Sequence, residues 1–411
     1  MTTLIADLRA VARRSREAAL PSAEESPTAG SAERWGRAAV LCALGLATVG
    51  VLMVYSSSSV RAAMSEGDGA FYLKRQVAWA GIGVTAMVAC MRIPLTFWRA
   101  QGRAMLLATA LLLAGVLLFG AEINGARRWF RMGGFSFQPS ELAKLAVLAF
   151  IAAWLCDARE KLADFRRGFL PAAGALGLVT ILVLKEPDFG TALFLGTLGT
   201  VLLIVGGTRM KHMLLCLLLA TPVLAYEVVQ RLEVIRSRFH FLGGAGTGTD
   251  AAGYQVRQGL VALGSGGLLG RGLGAGTAKL YFLPEGSSDF ILPVIGEELG
   301  FAGTLLILLL YAAFVRAGAR VCLQCIERDR FAFLMSLGVT LWVGLQAAIN
   351  IAVTTACAPT KGIALPFVSL GGSGLVVLFA ATGILYAASR RADEAALALE
   401  GGHDRPSEGR S

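Results

Sequence analysis

Two carboxylates, Glu285 and Asp289, lie in the segment LPEGSSDFILPVIGEELG at residues 283–300, between a glycine-rich stretch and an apolar run. Carboxylates can accept a proton as a general base or bind a cation. Charged side chains in or beside a bilayer are costly to desolvate, so such a cluster is by default a candidate functional site. Glu297 and Glu298 follow about two helical turns beyond Asp289 in the same apolar segment. The segment therefore predicts a group of buried acids at one face of a membrane.

Further charged side chains stand in short polar motifs at the ends of apolar runs. They are Arg128 in NGARRW, Glu141 and Lys144 in QPSELAK, Glu186 and Asp188 in EPDFG, and Lys361 in PTKG. Such cations can bind phosphate-like anions. Structural explanations compete with the chemical ones. Asp188 stands where a helix begins, and its role could be limited to capping the N–H groups of that helix. Glu141 and Lys144 could be a neutralising pair. Arg128 could be a surface charge beside lipid headgroups.

The elements that must position these side chains are membrane spans. The chain has 411 residues, of which 55% are hydrophobic and 16% charged, and its mean hydropathy is +0.64. A span needs about 20 apolar residues, and runs of that length predict an all-α polytopic membrane protein with about ten transmembrane helices. The runs are near 37–57, 76–92, 104–122, 140–156, 169–185, 189–206, 212–230, 291–315, 332–356 and 372–389. Any chemistry must therefore be built from helices and loops at the membrane.

The regions outside the runs predict a simple domain organisation. Residues 1–35 are expected to be a disordered cytoplasmic tail, residues 36–390 the transmembrane domain, and residues 391–411 a second cytoplasmic tail. Arginine and lysine are concentrated in loops on the side of the N-terminal tail, as in cytoplasmic loops. The large loop at 231–290, between spans seven and eight, is then extracytoplasmic. The net charge of +10 follows from this topology, and we predict no nucleic-acid partner because no basic helix or aromatic-basic alternation occurs.

Every motif named above falls on the predicted outer side, and this convergence indicates one site. The glycine-rich stretches of the large loop, GGAGTGTD and GSGGLLGRGLGAG, follow no strand and lie in no βαβ unit, so they do not predict a dinucleotide site. They fit a loop that folds over a cavity. The three histidines are scattered, and most of the seven cysteines lie in apolar runs, so the sequence does not indicate a structural zinc site. It does not indicate a Ser/His/Asp triad either.

The polar motifs also carry a family resemblance. NGARRW, QPSELAK, EPDFGTAL, AKLYFLPEGSSDF with GEELG, and PTKGIALPFVSLGGSG occur in this order over residues 37–390. On these motifs the chain resembles the SEDS family of cell-wall polymerases, FtsW, RodA and SpoVE, and Lys361 and AKLYFLPE are more similar to its division-type members, FtsW above all. The resemblance implies a peptidoglycan glycosyltransferase. Such an enzyme joins lipid II units into β-1,4 glycan at the outer face of the bacterial cytoplasmic membrane, here at the division septum.

The resemblance implies roles for the candidate residues as well. Asp289 matches the family's essential acid and is expected to be the general base toward the acceptor sugar hydroxyl in an inverting transfer. Arg128 and Lys361 are the expected cations for the leaving pyrophosphate. A divalent cation such as Mg²⁺, held through carboxylates, is a further hypothesis. The other expected substrate-binding residues are Glu141, Lys144, Glu186, Asp188, Glu285 and Glu297.

The expected partners follow from the same resemblance. They are lipid II, the undecaprenyl-pyrophosphate-linked glycan, a class B penicillin-binding transpeptidase and other membrane proteins of the divisome. Two alternatives stay open. A lipid II flippase would also have a charged cavity between broken helices, and a noncatalytic divisome scaffold would not need Asp289 for cell division.

Overall fold

The computed structural model describes residues 30–123, 125–132, 135–162, 164–216, 218, 221, 251–279, 283, 286–359 and 362–403. Most of these residues are helical. The helices are α1 (Ser31–Glu66), α2 (Phe71–Arg92), α3 (Leu95–Phe119), α4 (Pro139–Asp157), α5 (Leu170–Lys185), α6 (Phe189–Val205), α7 (Ala251–Ser265), α8 (Ile291–Cys325), α9 (Arg330–Thr354) and α10 (Ser373–His403). Three short strands, β1 (Ala121–Ile123), β2 (Ala126–Met132) and β3 (Phe135–Phe137), lie between α3 and α4.

The helices agree with a polytopic membrane protein. Within the described ranges, seven helical segments are long and apolar enough to cross a membrane, and α6 is a shorter apolar helix. Nine of the ten predicted runs overlap helices α1–α6 and α8–α10. The run at 212–230 and the first part of the loop, residues 231–250, lie largely outside the described residues, so the count of ten spans stays a prediction. Residues 31–35 and 391–403, assigned to the predicted tails, are parts of α1 and α10.

The helices pack into one bundle. Helices α1, α2, α8 and α10 pack on one another, and α3 packs along α4. The ring of Phe367 lies 6.0 Å from that of Phe314 and 5.4 Å from that of Phe379, measured between centroids. Gly50 brings α1 against the backbone of Phe367 and Val368, because a Cβ there would lie 2.7 Å from the Val368 carbonyl oxygen. The segment that precedes α10 is therefore held inside the bundle.

The three strands correct the prediction that the chain is all-α. They form an antiparallel sheet in the order β1-β2-β3, with Ile123 opposite Ala126 and Phe130 opposite Phe137. The turn between β1 and β2 contains Gly125, whose φ of 73° favours glycine. The sheet presents Arg128 toward the turn between α5 and α6.

Helix α8 is broken at Gly300, which has φ 68° and ψ −163°. The segment 266–272 supplies the main-chain bonds lost at the break. The N–H groups of Arg271 and Gly272 donate to the carbonyls of Glu297 and Glu298 at 3.0 Å, and Phe301 N–H donates to the carbonyl of Gly267 at 2.9 Å. A Cβ at position 300 would collide with the backbone of this segment, so only glycine fits. Residues 291–299 thus form a short helix that precedes the long helix 301–325.

Candidate active site

A cavity of about 380 Å³ lies where β2, α4, α6, α9 and α10 meet the turn before α8 and the segment before α10. Five predicted site residues line it: Arg128, Glu141, Lys144, Asp188 and Asp289. Further lining residues include Trp129, Gln138, Thr191, Phe194, Ser288, Gln346, Gly362 and Ser369. The motifs that the sequence placed on one side of the membrane therefore converge in space.

Glu141 and Lys144 form an ion pair in the cavity wall. Lys144 Nζ lies 2.8 Å from Glu141 Oε1, and the lysine side chain is 5% exposed. The ammonium lies 5.4 Å from the ring centroids of both Phe194 and Trp342. An aromatic face attracts a cation more strongly where water is excluded. The ion pair agrees with the structural alternative, a neutralising pair, and both side chains also line the cavity, where the resemblance expects them to bind substrate.

Asp188 both caps a helix and lines the cavity. Its carboxylate accepts from Thr191 N–H at 3.1 Å and from the Thr191 hydroxyl at 2.9 Å, at the start of α6. Arg128 holds the preceding turn, because its Nε and one terminal nitrogen donate to the carbonyls of Glu186 and Pro187 at 2.8 and 2.6 Å. The guanidinium is thereby fixed in position at the edge of the cavity.

Glu186 lies behind this turn and is fully buried. Neither carboxyl oxygen has a hydrogen-bond partner among the described residues. Burial and the neighbouring charge of Asp188 raise the pKa of Glu186 to about 8, while Arg128 acts in the opposite direction. A buried carboxyl without partners favours its neutral form, so Glu186 holds a proton near neutral pH. It does not line the cavity.

Asp289 lies in a turn that is tied to the segment before α10. Its carbonyl accepts from Asn350 Nδ2 at 2.8 Å, and the same amide donates to the Ile363 carbonyl at 2.8 Å. The hydroxyl of Ser369 donates to the Ser288 carbonyl at 2.6 Å. A Cβ on Gly362 would lie 2.9 Å from Asp289 Oδ2. The carboxylate therefore rests directly against the backbone of this segment.

Glu297 and Glu298 lie away from the cavity and bind the glycine-rich segment 266–279. Glu297 accepts from the N–H groups of Thr277 and Ala278 at 2.8 and 3.0 Å. Glu298 lies 3.0 Å from Lys279 Nζ. Both side chains are buried, and the geometry gives them a role in holding the segment. The structure therefore does not place Glu297, predicted to bind substrate, at the cavity.

Two predicted site residues, Glu285 and Lys361, lie outside the described residues. Among those that are described, no three His, Cys, Asp or Glu side chains form a group that could hold a metal ion. The hypothesis of a Mg²⁺ ion held through carboxylates stays a prediction, because a Mg²⁺ site can use one or two carboxylates together with the phosphates of a substrate.

The sequence analysis missed Gln346, Asn350 and Ser369. Gln346 accepts from Lys144 at 3.4 Å and donates to the Ala364 carbonyl at 2.8 Å. Gln346 and Asn350 are four residues apart in an apolar helix and so share one face. Amides inside a span are costly unless they are paired, and this signal could have indicated them.

Comparison with known proteins agrees with the arrangement. A model of the cell cycle protein family FTSW_RODA_SPOVE matches residues 37–394. The chain belongs to this family. An FtsW/RodA/SpoVE relative from Geobacter metallireducens, named probable peptidoglycan glycosyltransferase FtsW, is 40% identical over 361 residues, which are 87% of this chain and 96% of the relative. Stage V sporulation protein E of Bacillus subtilis is 36% identical over 353 residues, 85% of this chain and 96% of that protein.

Solved structures have the same family fold. A chain of a peptidoglycan synthase complex that coordinates polymerization and crosslinking matches with a TM-score of 0.67 and 25% identity, covering 86% of this chain and 97% of that chain. The rod shape determining protein RodA of Thermus thermophilus matches with a TM-score of 0.60 and 25% identity, covering 86% of this chain and 95% of that chain. The FtsW/RodA/SpoVE assignment thus rests on sequence and on fold.

Proposed function

We propose that the protein is a peptidoglycan glycosyltransferase that polymerises lipid II into β-1,4 glycan. The observation that carries the proposal is the cavity that brings Asp289 together with Arg128 and the Glu141–Lys144 pair. The names of the curated relatives support the same activity. A cavity of this size, with a few convergent polar groups, is typical of a small-molecule site.

Asp289 acts as the general base in this proposal. The acceptor sugar hydroxyl loses its proton to the Asp289 carboxylate as its oxygen attacks the anomeric carbon of the donor. The bond from that carbon to undecaprenyl pyrophosphate breaks, so the anomeric centre is inverted and the electron pair leaves with the pyrophosphate. General base catalysis contributes about 10²–10⁴-fold in rate. Gly362 leaves room for the Asp289 carboxylate, because a Cβ at that position would lie 2.9 Å from Asp289 Oδ2.

The cations have the complementary role. Arg128, held by two carbonyls, binds the pyrophosphate of the donor, and we assign Lys361 to the same anion from the sequence. Lys144 neutralises Glu141, which leaves Glu141 to accept from sugar hydroxyls. Asp188 lines the same wall and binds substrate there. Glu186 supports the turn beneath Arg128, and Glu285, three residues before the described turn at Ser288, is assigned to the substrate from its position in the sequence.

We place the cavity at the extracytoplasmic face of the bacterial cytoplasmic membrane, with both termini cytoplasmic. The distribution of basic residues supports this orientation. Arg99 and Arg103 lie near the start of α3, and Arg166 lies in the turn at residues 165–169 that precedes α5, so all three are remote from the cavity. We assign the enzyme to septal wall synthesis on the family description as cell cycle proteins. Its proposed partner is a class B penicillin-binding transpeptidase, in keeping with the synthase complex that has the same fold.

The test is polymerisation of purified lipid II by the full-length protein with its transpeptidase, with the glycan products separated on a gel. The wild type should form polymer and Asp289→Ala should form none. The matched control is Asp68→Ala, which removes a half-exposed aspartate between α1 and α2 that does not line the cavity and should leave polymerisation unchanged. Polymer from Asp289→Ala would refute the base. If neither protein forms polymer and the wild type transfers lipid II across vesicle membranes, the result would favour a flippase. If Asp289→Ala supports division in cells depleted of the wild-type protein, the result would favour a scaffold.

A further inference from the structure

A second cavity, of about 400 Å³, lies between α3 and α4. Its polar lining consists of Thr96, Arg99, Arg103 and Asp157, and the ring of Trp154 forms one wall. These residues lie at the start of α3 and the end of α4, whereas the candidate active site lies at the start of α4. On α4 the lining residues Lys144 of the first site and Trp154 of the second are ten residues apart, which is about 15 Å at 1.5 Å per residue.

The charges of the second cavity do not balance. Arg99 lies 2.7 Å from one oxygen of Asp157, and Arg103 lies 3.7 Å from the other. Two guanidinium groups thus share one carboxylate, which leaves one positive charge. The side chain of Arg103 is 69% exposed, so this charge is open to a ligand. An arginine pair that faces a cavity suits a phosphate group.

The aromatic wall is rigid. Trp154 Nε1 donates to the Gly168 carbonyl at 2.7 Å, and its ring stacks on Phe150 with centroids 6.2 Å apart. The guanidinium of Arg103 lies 5.8 Å from the Trp154 ring centroid. Contact with an aromatic face orients a guanidinium, and Arg103 is therefore held at the mouth of the cavity.

An apolar track continues from the cavity along α3. Residues four apart on a helix share one face. Ala100 lines the cavity, and Leu107 and Leu111, seven and eleven residues later, are 62% and 64% exposed. A ligand with a phosphate in the cavity and hydrocarbon chains along this face would match both surfaces. A soluble phosphate would bind only in the cavity and would not contact the apolar face of α3.

We propose that the cavity at Arg99, Arg103 and Trp154 binds the phosphodiester headgroup of an anionic phospholipid, whose acyl chains lie along Leu107 and Leu111 of α3. Basic pockets between membrane helices on the cytoplasmic side are suited to such headgroups. The site is independent of the cavity that holds Asp289. It would fix the α3–α4 pair at the inner leaflet.

The test is native mass spectrometry of the full-length, delipidated protein titrated with dioleoylphosphatidylglycerol. Each basic residue near an anionic lipid surface contributes about 1 kcal/mol, or about five-fold in affinity. Arg99→Gln/Arg103→Gln should therefore weaken the first binding event about 25-fold. The matched control is Arg92→Gln, an exposed arginine at the end of α2 that does not line the cavity. It should leave the affinity unchanged.

A second variant keeps the proposal testable if the double variant does not fold. Asp157→Asn removes the competing carboxylate and should tighten binding of phosphatidylglycerol several-fold. Equal affinity of the wild type and the charge variants would overturn the proposal, as would equally tight binding of phosphatidylcholine. Displacement of the lipid by millimolar inorganic phosphate would instead identify a site for a soluble anion and would also overturn it.

Discussion

Glu298→Gln should loosen the glycine-rich segment 266–279 from α8. The side chains of Glu298 and Lys279 are 0% and 6% exposed, so the substitution leaves a buried ammonium without its counter-charge. Breaking such a pair costs about 3–5 kcal/mol. Lys279 Nζ still donates to the Gly274 carbonyl at 2.5 Å. We therefore expect the loss of stability to lie at the lower end of this range, about 3 kcal/mol.

Lys279→Met should cost less, because the Glu298 carboxylate keeps two donors. The hydroxyl of Ser56 donates to it at 2.5 Å and Gly274 N–H at 3.0 Å. In the double variant no buried charge is left unpaired. Residues in direct contact show coupling energies of about 0.5–3 kcal/mol. We therefore expect the double variant to be less destabilised than the sum of the two single variants by about 2 kcal/mol.

Hydrogen exchange of the full-length protein in detergent measures this directly, because backbone N–H groups of segment 266–279 are bonded to α8. A loss of about 3 kcal/mol corresponds to exchange roughly 100-fold faster within this segment. The control is Glu122→Gln, which changes an exposed acid on β1 and should leave the exchange rate of segment 266–279 unchanged. Unchanged exchange in Glu298→Gln, or additive effects in the double variant, would refute the reasoning.

The other predictions concern single positions. Gly362→Ala places a Cβ 2.9 Å from Asp289 Oδ2 and should displace the base, so kcat for polymerisation should fall about 10–100-fold. The control is Gly45→Ala, which lies away from the cavity and whose Cβ would make only an ordinary contact with Leu310 at 3.8 Å; it should leave kcat unchanged. The raised pKa of Glu186, about 8 against 4.5 ordinarily, means that the folded protein retains a proton that the unfolded chain releases. Stability should therefore fall as pH rises through this window. Glu186→Gln should remove the fall, so unfolding temperatures of variant and wild type should differ at about pH 9 and converge toward about pH 4.5. Gly300→Ala should destabilise the fold by at least about 3 kcal/mol, measured by denaturant unfolding, because backbone strain and a collision add together; wild-type stability would contradict the break in α8.

Length and apolar content predicted most of the helices because a span must satisfy its backbone internally and needs a minimum length. The same reasoning could not find β1–β3. Strands of three to seven residues at a membrane surface carry too few residues for an alternating pattern to stand out. Gly300 was equally hidden, because a glycine in an apolar run also suits close helix packing. The break depends on a partner segment 30 residues earlier in the chain.

Charge in an apolar context predicted five side chains that line the cavity, because buried charges need a functional or structural reason. The same rule could not separate lining residues from anchors. Glu297 is a charged residue in an apolar context just as Asp289 is. The Glu297 carboxylate nevertheless accepts from the main-chain N–H groups of residues 277 and 278. The amides Gln346 and Asn350 carry no charge and therefore did not enter the candidate set, although they connect α9 to both sides of the cavity.

The replacement of helical bonds by segment 266–272 at the Gly300 break constrains how this region can evolve and how it is assembled. Its N–H groups and carbonyls match those of α8 in a fixed register. One residue inserted or deleted between 267 and 272 would shift every bond, so the loop should conserve its length more strictly than its apolar residues. During biosynthesis, segment 266–272 emerges before helix 301–325, and the start of that helix cannot complete its backbone bonding until the segment docks against it. The two are therefore expected to enter the membrane fold as one unit.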